Sequence, residues 1–303
     1  MKVVVFGGSG FLGSHVADAL TERGHQVTLF DLKPSVHLDP RQKMVVGDIL
    51  DTRAVARALK GMDYVYHFAG LADLDEGNIK SMDTVKQNIM GTVGILEAAV
   101  QARVKRFVYA STIYVYSQLG GFYRCSKQAG ELYIEEFQRR HQMNYTILRY
   151  GTLYGPRSDE KNSIWRYLQQ ALIEKKMQFH GTGEEMREYI HVRDAARLSV
   201  DILADEYANQ AVIITGHHAM KTKDMLMMIK EILNHKVSIE FGSKINSIHY
   251  AITPYSFIPK IGKKLVSTCY EDMGQSLLEC VHDMSQRIDL LPVSKVKKEK
   301  RRK

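Results

Sequence analysis

The sequence predicts an α/β fold, a doubly wound parallel sheet with a smaller C-terminal lobe. Three observations predict it. Short apolar runs alternate with helical patterns over the first 150 residues. Those runs are continuously apolar and rich in β-branched or aromatic residues, as strands buried on both faces are. A glycine-rich turn, Gly7-Gly8-Ser9-Gly10-Phe11-Leu12-Gly13, joins the first run to the first helix. The 303 residues, 45% hydrophobic and 25% charged, suffice for a substantial core and exclude disorder for the bulk of the chain.

The expected strands are Val3–Phe6, Val27–Phe30, Met44–Val46, Tyr64–Phe68, Phe107–Ala110 and Tyr145–Leu148. A helix over Phe11–Arg23 sets Leu12, Val16, Ala19 and Leu20 on one face. Asp51 can cap a second helix carrying Val55 and Leu59. Met82–Arg103 repeats Ile89, Val93, Leu96 and Val100 at helical spacing, and Tyr123–Arg140 forms the next helix. Such alternation implies right-handed crossovers between parallel strands. Past residue 150 the rhythm loosens. Helices are expected at about 162–175, 193–205, 222–234 and 270–287, and strands at 177–180, Ala211–Thr215 and Val237–Phe241. Met225, Met227 and Met228 are expected in the core of this lobe.

The net charge of +8 is local. Residues 295–303 carry seven positive charges and one negative, so +6 of it sits in this tail and +2 in the other 294 residues. The block is expected to be disordered and solvated, with weak contact to an anionic surface, a membrane face or RNA, as the alternative. No basic stripe with aromatics elsewhere suggests a specific nucleic-acid partner. No apolar run approaches the roughly 20 residues of a membrane span. Met1 leads straight into a strand pattern without a secretory signal, and Cys125, Cys269 and Cys280 form no CxxC pair. A cytoplasmic location is expected, and a disulfide framework or cysteine zinc site is excluded. His180, His191, His217 and His218 follow no ligand spacing, and no metal is expected.

The glycine turn carries the first chemistry. Gly7, Gly10 and Gly13, with Phe11 and Leu12 opening the helix, allow a sharp turn and close approach of a pyrophosphate to a helix N-terminus. This is the dinucleotide fingerprint of a Rossmann-type fold. Asp31 ends the second strand 18 residues after Gly13, where an acid accepts a ribose hydroxyl. A carboxylate repels a 2′-phosphate, so NAD is expected over NADP, a preference tempered by Lys33 beside Leu32. Asp48 and Ile49 after the third strand, and Phe68-Ala69-Gly70 after the fourth, are candidates for further cofactor contact. Tyr123 and Lys127 stand four apart on one helix face. Upstream, Ser111 and Thr112 end the fifth strand on the carboxyl edge, where ligands of open α/β sheets bind. A tyrosine beside a lysine ammonium and a positive nicotinamide ring is expected to have a lowered pKa and to exchange a proton with a substrate hydroxyl.

These residues resemble the extended short-chain dehydrogenase/reductase family, and within it the NAD-dependent epimerase/dehydratase group. The motifs match in order: GGSGFLGSH at 7–15, HFAGL at 67–71, Asn88 in NxxGT, Ser111-Thr112 with Val115-Tyr116, Tyr123 and Lys127 on YxxxK, Leu148 to Pro156 against LRYFNxYGP, and Gly181 to Asp194. The resemblance implies Thr112, Tyr123 and Lys127 as the catalytic set, Lys127 also holding the nicotinamide ribose. It adds Asn88, Ser111 and Tyr150 to the cofactor site, and it implies a nucleotide-sugar substrate met by Asp73, Thr112, Thr152 and Arg187. Arg187 offers a guanidinium matched to a diphosphate, or pairs with Glu184, Glu185 or Glu188. The implied arrangement is an NAD-binding domain over 1–150 with about 192–216, and a substrate lobe over about 151–191 and 217–290. A homodimer through the helices at about 82–103 and 122–140 is implied too.

The departures narrow the reaction. Dehydratases of this family carry an Asp-Glu pair after the catalytic Thr, and related decarboxylases a Glu at the second place. Ile113 and Tyr114 stand there, which disfavours both. Thr152 replaces the family's Asn. The resulting expectation is an NAD-dependent nucleotide-sugar 4-epimerase with Tyr123 as acid and base. The alternatives are a 4-ketoreductase on a keto-sugar nucleotide and a non-catalytic NAD-binding regulator or scaffold.

Overall fold

The computed structural model of the protein describes residues 1–72 and 81–242, with Ile252 and Pro254. The helix expected at 270–287 and the tail at 295–303 lie outside the described residues. Seven strands form one sheet: β1 (Lys2–Phe6), β2 (Gln26–Asp31), β3 (Lys43–Val46), β4 (Tyr64–His67), β5 (Arg106–Thr112), β6 (Tyr145–Tyr150) and β10 (Gln210–Ile214). Their order is β10-β6-β5-β4-β1-β2-β3, and every pairing is parallel. Chain direction across the sheet reverses beside β1, which lies between β2 and β4 with Val5 opposite Leu29 and Tyr66. Ligands of such sheets bind at the carboxyl edge beside this reversal.

Strand residues alternate between two buried faces, which is why the runs read as continuously apolar. Val3 and Val5 join a core with α1 (Phe11–Glu22) and α6 (Val192–Asp201), through Val16, Leu20, Ala196 and Val200. Val4 and Phe6 join the opposite core. There Val55 and Leu59 come from α2 (Thr52–Leu59), and Ile134 from α4 (Gly121–His141). The third helix, α3, supplies Ile95, Leu96 and Ala99. It runs as a turn Ser81–Thr84, a π-helical stretch Val85–Met90 and an α-helix Gly91–Ala102.

The lobe departs further from expectation. Helices α5 (Ser163–Ile173) and α7 (Thr222–Ile232) bury Ile164, Ala171, Met225, Leu226 and Ile229 together. Of the expected methionine cluster only Met225 is core; Met227 and Met228 are 42% and 50% exposed, because the helical period turns them outward. β8 (Lys176–Phe179) pairs in parallel with β12 (Ser238–Phe241). A second small sheet holds β7 (Thr152–Tyr154), β9 (Met186–His191) and β11 (Ala219–Lys221), in the order β11-β9-β7. The apolar runs predicted none of these last three strands, since their side chains are mostly half-buried and mixed in polarity. Among the described residues no helix is long and apolar enough to cross a membrane.

Candidate active site

The parallel sheet brings the ends of six strands to one edge, and the chemistry-bearing residues follow them. At β1, Gly7 turns with φ +81°, and its N–H donates to the Phe30 carbonyl at 2.9 Å. A Cβ on Gly7 would lie 2.5 Å from the Ala69 nitrogen, and one on Gly13 would lie 2.1 Å from the Gly7 carbonyl oxygen. The fold itself requires both glycines. A Cβ on Gly10 would meet only that oxygen, at 3.3 Å, and φ there is −77°. Gly10 begins α1 with no side-chain cap and no acidic residue in the first turn. By contrast, Asp51 caps α2 and Asn162 caps α5. The bare start of α1 leaves its first N–H groups to an anion, which fits the pyrophosphate of a dinucleotide.

Asp31 stands beside this turn. One carboxylate oxygen accepts the Ser9 N–H at 3.0 Å and the other faces the Lys33 N–H at 3.4 Å. The Ser9 hydroxyl donates to the Lys33 carbonyl at 2.8 Å, closing the turn over the strand end. Leu32 is exposed there. Gly47 donates to the Asp31 carbonyl at 2.8 Å, so Asp48 follows immediately and accepts the Leu50 N–H at 2.9 Å. The Ile49 side chain turns inward into the core instead, against Gly91.

After β4, the N–H groups of Phe68 and Ala69 both donate to the Phe6 carbonyl, at 2.8 and 3.0 Å. Gly70, with φ +146°, passes so close to Asn88 that a Cβ would lie 2.6 Å from its Oδ1. Asn88 is 1% exposed and fully engaged. Its Oδ1 accepts the Leu71 N–H at 2.7 Å, and its Nδ2 donates to the Leu71 carbonyl and to Ser126 Oγ, each at 2.9 Å. Ser126 Oγ donates in turn to the Tyr123 carbonyl at 2.8 Å. The π-helical stretch thus ties the loop behind the glycine turn to the helix carrying Tyr123.

The Thr112 hydroxyl accepts the Tyr114 N–H at 3.3 Å and lies close enough to the Tyr123 phenol to favour its ionised form. Thr112 is buried at the end of β5, and Tyr123 lies in the first turn of α4. Lys127, 5% exposed, donates to the Ala110 carbonyl at 2.7 Å. Its Nζ lies 4.7 Å from the Tyr109 ring centre and 5.9 Å from that of Tyr123. The expected low pKa of Tyr123 is not found in the protein alone. Burial pushes it up to about 12, with the neighbouring Thr112 hydroxyl pulling the other way. Burial brings Lys127 down to about 8 against the opposing field of Glu131.

The sequence reading missed Glu131. It is buried, and Arg149 grips it twice: Nε to Oε1 at 3.0 Å and Nη2 to Oε2 at 2.6 Å. Ser111 Oγ donates to the same Oε1 at 2.5 Å, so this expected cofactor residue has its hydroxyl committed inside the protein. Arg149 also donates to the Tyr116 hydroxyl at 2.6 Å and lies 4.8 Å from that ring's centre. The signal was available, because Glu131 lies four residues after Lys127, on one helix face. The hydroxyl of Tyr150 is likewise committed, 2.6 Å from Ser199 Oγ in the core. Thr152 and Arg187 lie apart from the Tyr123 set, on the small mixed sheet, with Thr152 opposite Tyr189. Arg187 Nη1 donates to the Met186 carbonyl at 2.9 Å, and Glu184 is held by Lys221 and Lys223. Asp73 lies outside the described residues.

Comparison with known proteins supplies context for this geometry. The sequence model of the NAD dependent epimerase/dehydratase family matches residues 3–214. The chain is 26% identical to the uncharacterized UDP-glucose epimerase YtcB of Bacillus subtilis (strain 168), over 81% of this chain and 86% of that protein. It is 28% identical to a dTDP-glucose 4,6-dehydratase of Actinoplanes sp., over 65% of this chain and 71% of that protein. Among solved structures it is similar to the UDP-glucose 4-epimerase of Thermotoga maritima with UDP-glucose. The TM-score is 0.76 at 25% identity, over 85% of this chain and 90% of the other.

Proposed function

Since the chain belongs to the NAD dependent epimerase/dehydratase family, we propose that it is an NAD-dependent nucleotide-sugar 4-epimerase. One observation carries the reading. Thr112 and Tyr123 stand together beside Lys127 at the end of β5, and Ile113 and Tyr114 occupy the places where elimination needs carboxylates. Ile113 is 1% exposed and Tyr114 packs over Gly120, so neither place offers an acid. That separates the chain from its dehydratase relatives at the residues that matter. The similarity to UDP-glucose epimerases supports a UDP-sugar as the first substrate to try.

The bare start of α1 and the Asp31 carboxylate would hold the pyrophosphate and ribose of NAD, with Asp48 and the Phe68–Gly70 backbone beside them. Bound NAD supplies a hydride acceptor that becomes a hydride donor. Tyr123 takes the proton of the sugar C4 hydroxyl and later returns it. Thr112 orients that oxygen. Lys127 holds the ribose and sets a positive charge near the phenol, favouring its ionised form. The keto sugar presents its other face before the proton returns. Arg187, Thr152 and Asp73 are assigned to the sugar nucleotide, in a lobe over about 151–191 and 217–290. Residues 1–150 with about 192–216 are assigned to the cofactor. Exposed Met82, Val85, Phe122, Leu132 and Tyr133 on α3 and α4 support a homodimer, with a mass in light scattering about twice the 34.5 kDa of one chain.

The test begins with purified protein to which no cofactor has been added. Denaturation should release stoichiometric NAD, and UDP-, GDP- and dTDP-sugars screened next should include one inverted at C4. An empty site that prefers NADPH and reduces a keto-sugar nucleotide would replace this reading with a ketoreductase. Bound NAD without turnover of any of these sugars would replace it with a non-catalytic regulator.

A further inference from the structure

Glu131 and Arg149 come from α4 and β6, 18 residues apart in sequence, and form a nearly buried ion pair, with side chains 9% and 18% exposed. A buried ion pair contributes little net stability once desolvation is counted, so its effect is better sought in geometry and field. The geometry is specific. Ser111 precedes Thr112 on β5, and its hydroxyl binds Glu131 on the helix that also carries Tyr123. Arg149 fixes the Glu131 carboxylate from β6 and holds Tyr116, the last residue of the 3-10 turn Ile113–Tyr116 that follows Thr112. The strand end carrying Thr112 and the helix carrying Tyr123 are therefore both anchored to one carboxylate.

The field is specific too. Lys127 lies one helical turn before Glu131. It faces the rings of Tyr109 and Tyr123, the Ala110 carbonyl and, within reach of its charge, His67. His67 is buried and neutral near pH 7. Glu131 is the carboxylate whose charge opposes the cost of burying the ammonium.

We propose that Glu131 is a positioning residue of this site: through Ser111 it locks the strand end carrying Thr112 to the helix carrying Tyr123, and it keeps Lys127 a cation. This rests on the reading of Tyr123 and Lys127 as the proton-transfer pair. Its first test needs no turnover. The full chain, carrying ¹³C-labelled lysine, is titrated by NMR, with Lys127 identified by the signal lost in Lys127→Met. In Glu131→Gln the Lys127 midpoint should fall by about one pH unit. In Ser111→Ala it should stay, because no charge is removed.

With the C4-inversion substrate, Glu131→Gln should lower kcat by about 10-fold or more while KM changes by less than about 2-fold. The alkaline limb of its kcat profile should move to lower pH with the Lys127 midpoint. A purely architectural Glu131 would lower kcat and leave both the limb and the midpoint in place, and that result overturns the proposal. Should Glu131→Gln fail to fold, Glu131→Gln/Arg149→Met is compared with Arg149→Met, so that only the carboxylate charge differs, and an unchanged Lys127 midpoint between the two overturns it equally. A wild-type chain that inverts no sugar, but whose Lys127 midpoint falls in Glu131→Gln, refutes the epimerase reading and leaves the charge-holding role standing.

Discussion

At the scale of single residues, Tyr123 is the sharpest commitment. In the protein alone burial holds its pKa at about 12, so near pH 7 it is a protonated phenol beside Thr112. On the proposed reading, proton abstraction would require positive charge brought close, from Lys127 and from the oxidised ring of bound NAD. Tyr123→Phe keeps the ring and its packing and removes the proton. It should bind NAD normally and lose at least ~100-fold in kcat, the usual worth of general acid–base catalysis. NAD titration and a C4-inversion assay read the two effects separately, and near-normal turnover would remove Tyr123 from the mechanism. The Tyr123–Lys127 pair was legible because both lie on one helix, where spacing alone gives the face. Glu131 with Arg149 was not, because that contact forms only when β6 lies beside β5. Ile49, Ser111 and Tyr150 were placed at the correct edge of the sheet. Their inward side chains depend on the turn of each strand end, which composition does not encode.

At the scale of elements, the turn before α1 separates two kinds of glycine. A Cβ on Gly13 would lie 2.1 Å from the Gly7 carbonyl oxygen, a backbone atom that cannot rotate away. Gly13→Ala should therefore destabilise the folded protein, read as a fall in its thermal midpoint. Gly10 has an ordinary φ of −77° and a single neighbour at 3.3 Å. Gly10→Ala should fold with a near-wild-type midpoint and bind NAD at least ~10-fold more weakly, a loss of about 1.4 kcal/mol. Full NAD affinity in that variant would show that no pyrophosphate is cradled there. The large sheet was legible because its inner strands β1, β2, β4, β5 and β6 are buried on both faces and read as apolar runs, while the more exposed edge strands β3 and β10 still carry short ones. The strands β7, β9 and β11 escaped because half-buried strands of mixed polarity carry no such run. The π-helical stretch escaped because a 3.6-residue period cannot announce its own interruption. It contains Asn88, whose side chain reaches back to Leu71.

At the scale of the whole molecule, buried bases set how stability responds to acid. His67 lies in the sheet core among Phe6, Phe107 and Tyr109, with Nε2 2.9 Å from the Thr92 hydroxyl. Burial, and then the Lys127 charge, lower its pKa from 6.5 to about 3. His15 and His25 are lowered as well, chiefly by burial. Between these values and 6.5 the unfolded chain binds more protons than the folded one, so stability must fall as pH falls. The lowered carboxylates, Asp39 and Glu184 at about 2, act only below their ordinary values of 3.8 and 4.5. The interval from about pH 6.5 to 5 therefore belongs to the histidines. Urea midpoints measured across it should decline with acid, and His67→Gln, which keeps a polar partner for Thr92 without a titrating base, should flatten the decline. A wild-type midpoint constant over that interval would mean that His67 is not held neutral in the core. His67 ends β4, one residue before the Phe68–Gly70 loop, and it lies within reach of the Lys127 charge. The share of acid sensitivity that His67 carries and the charge state of the proposed active site therefore meet in one place, at the end of β4.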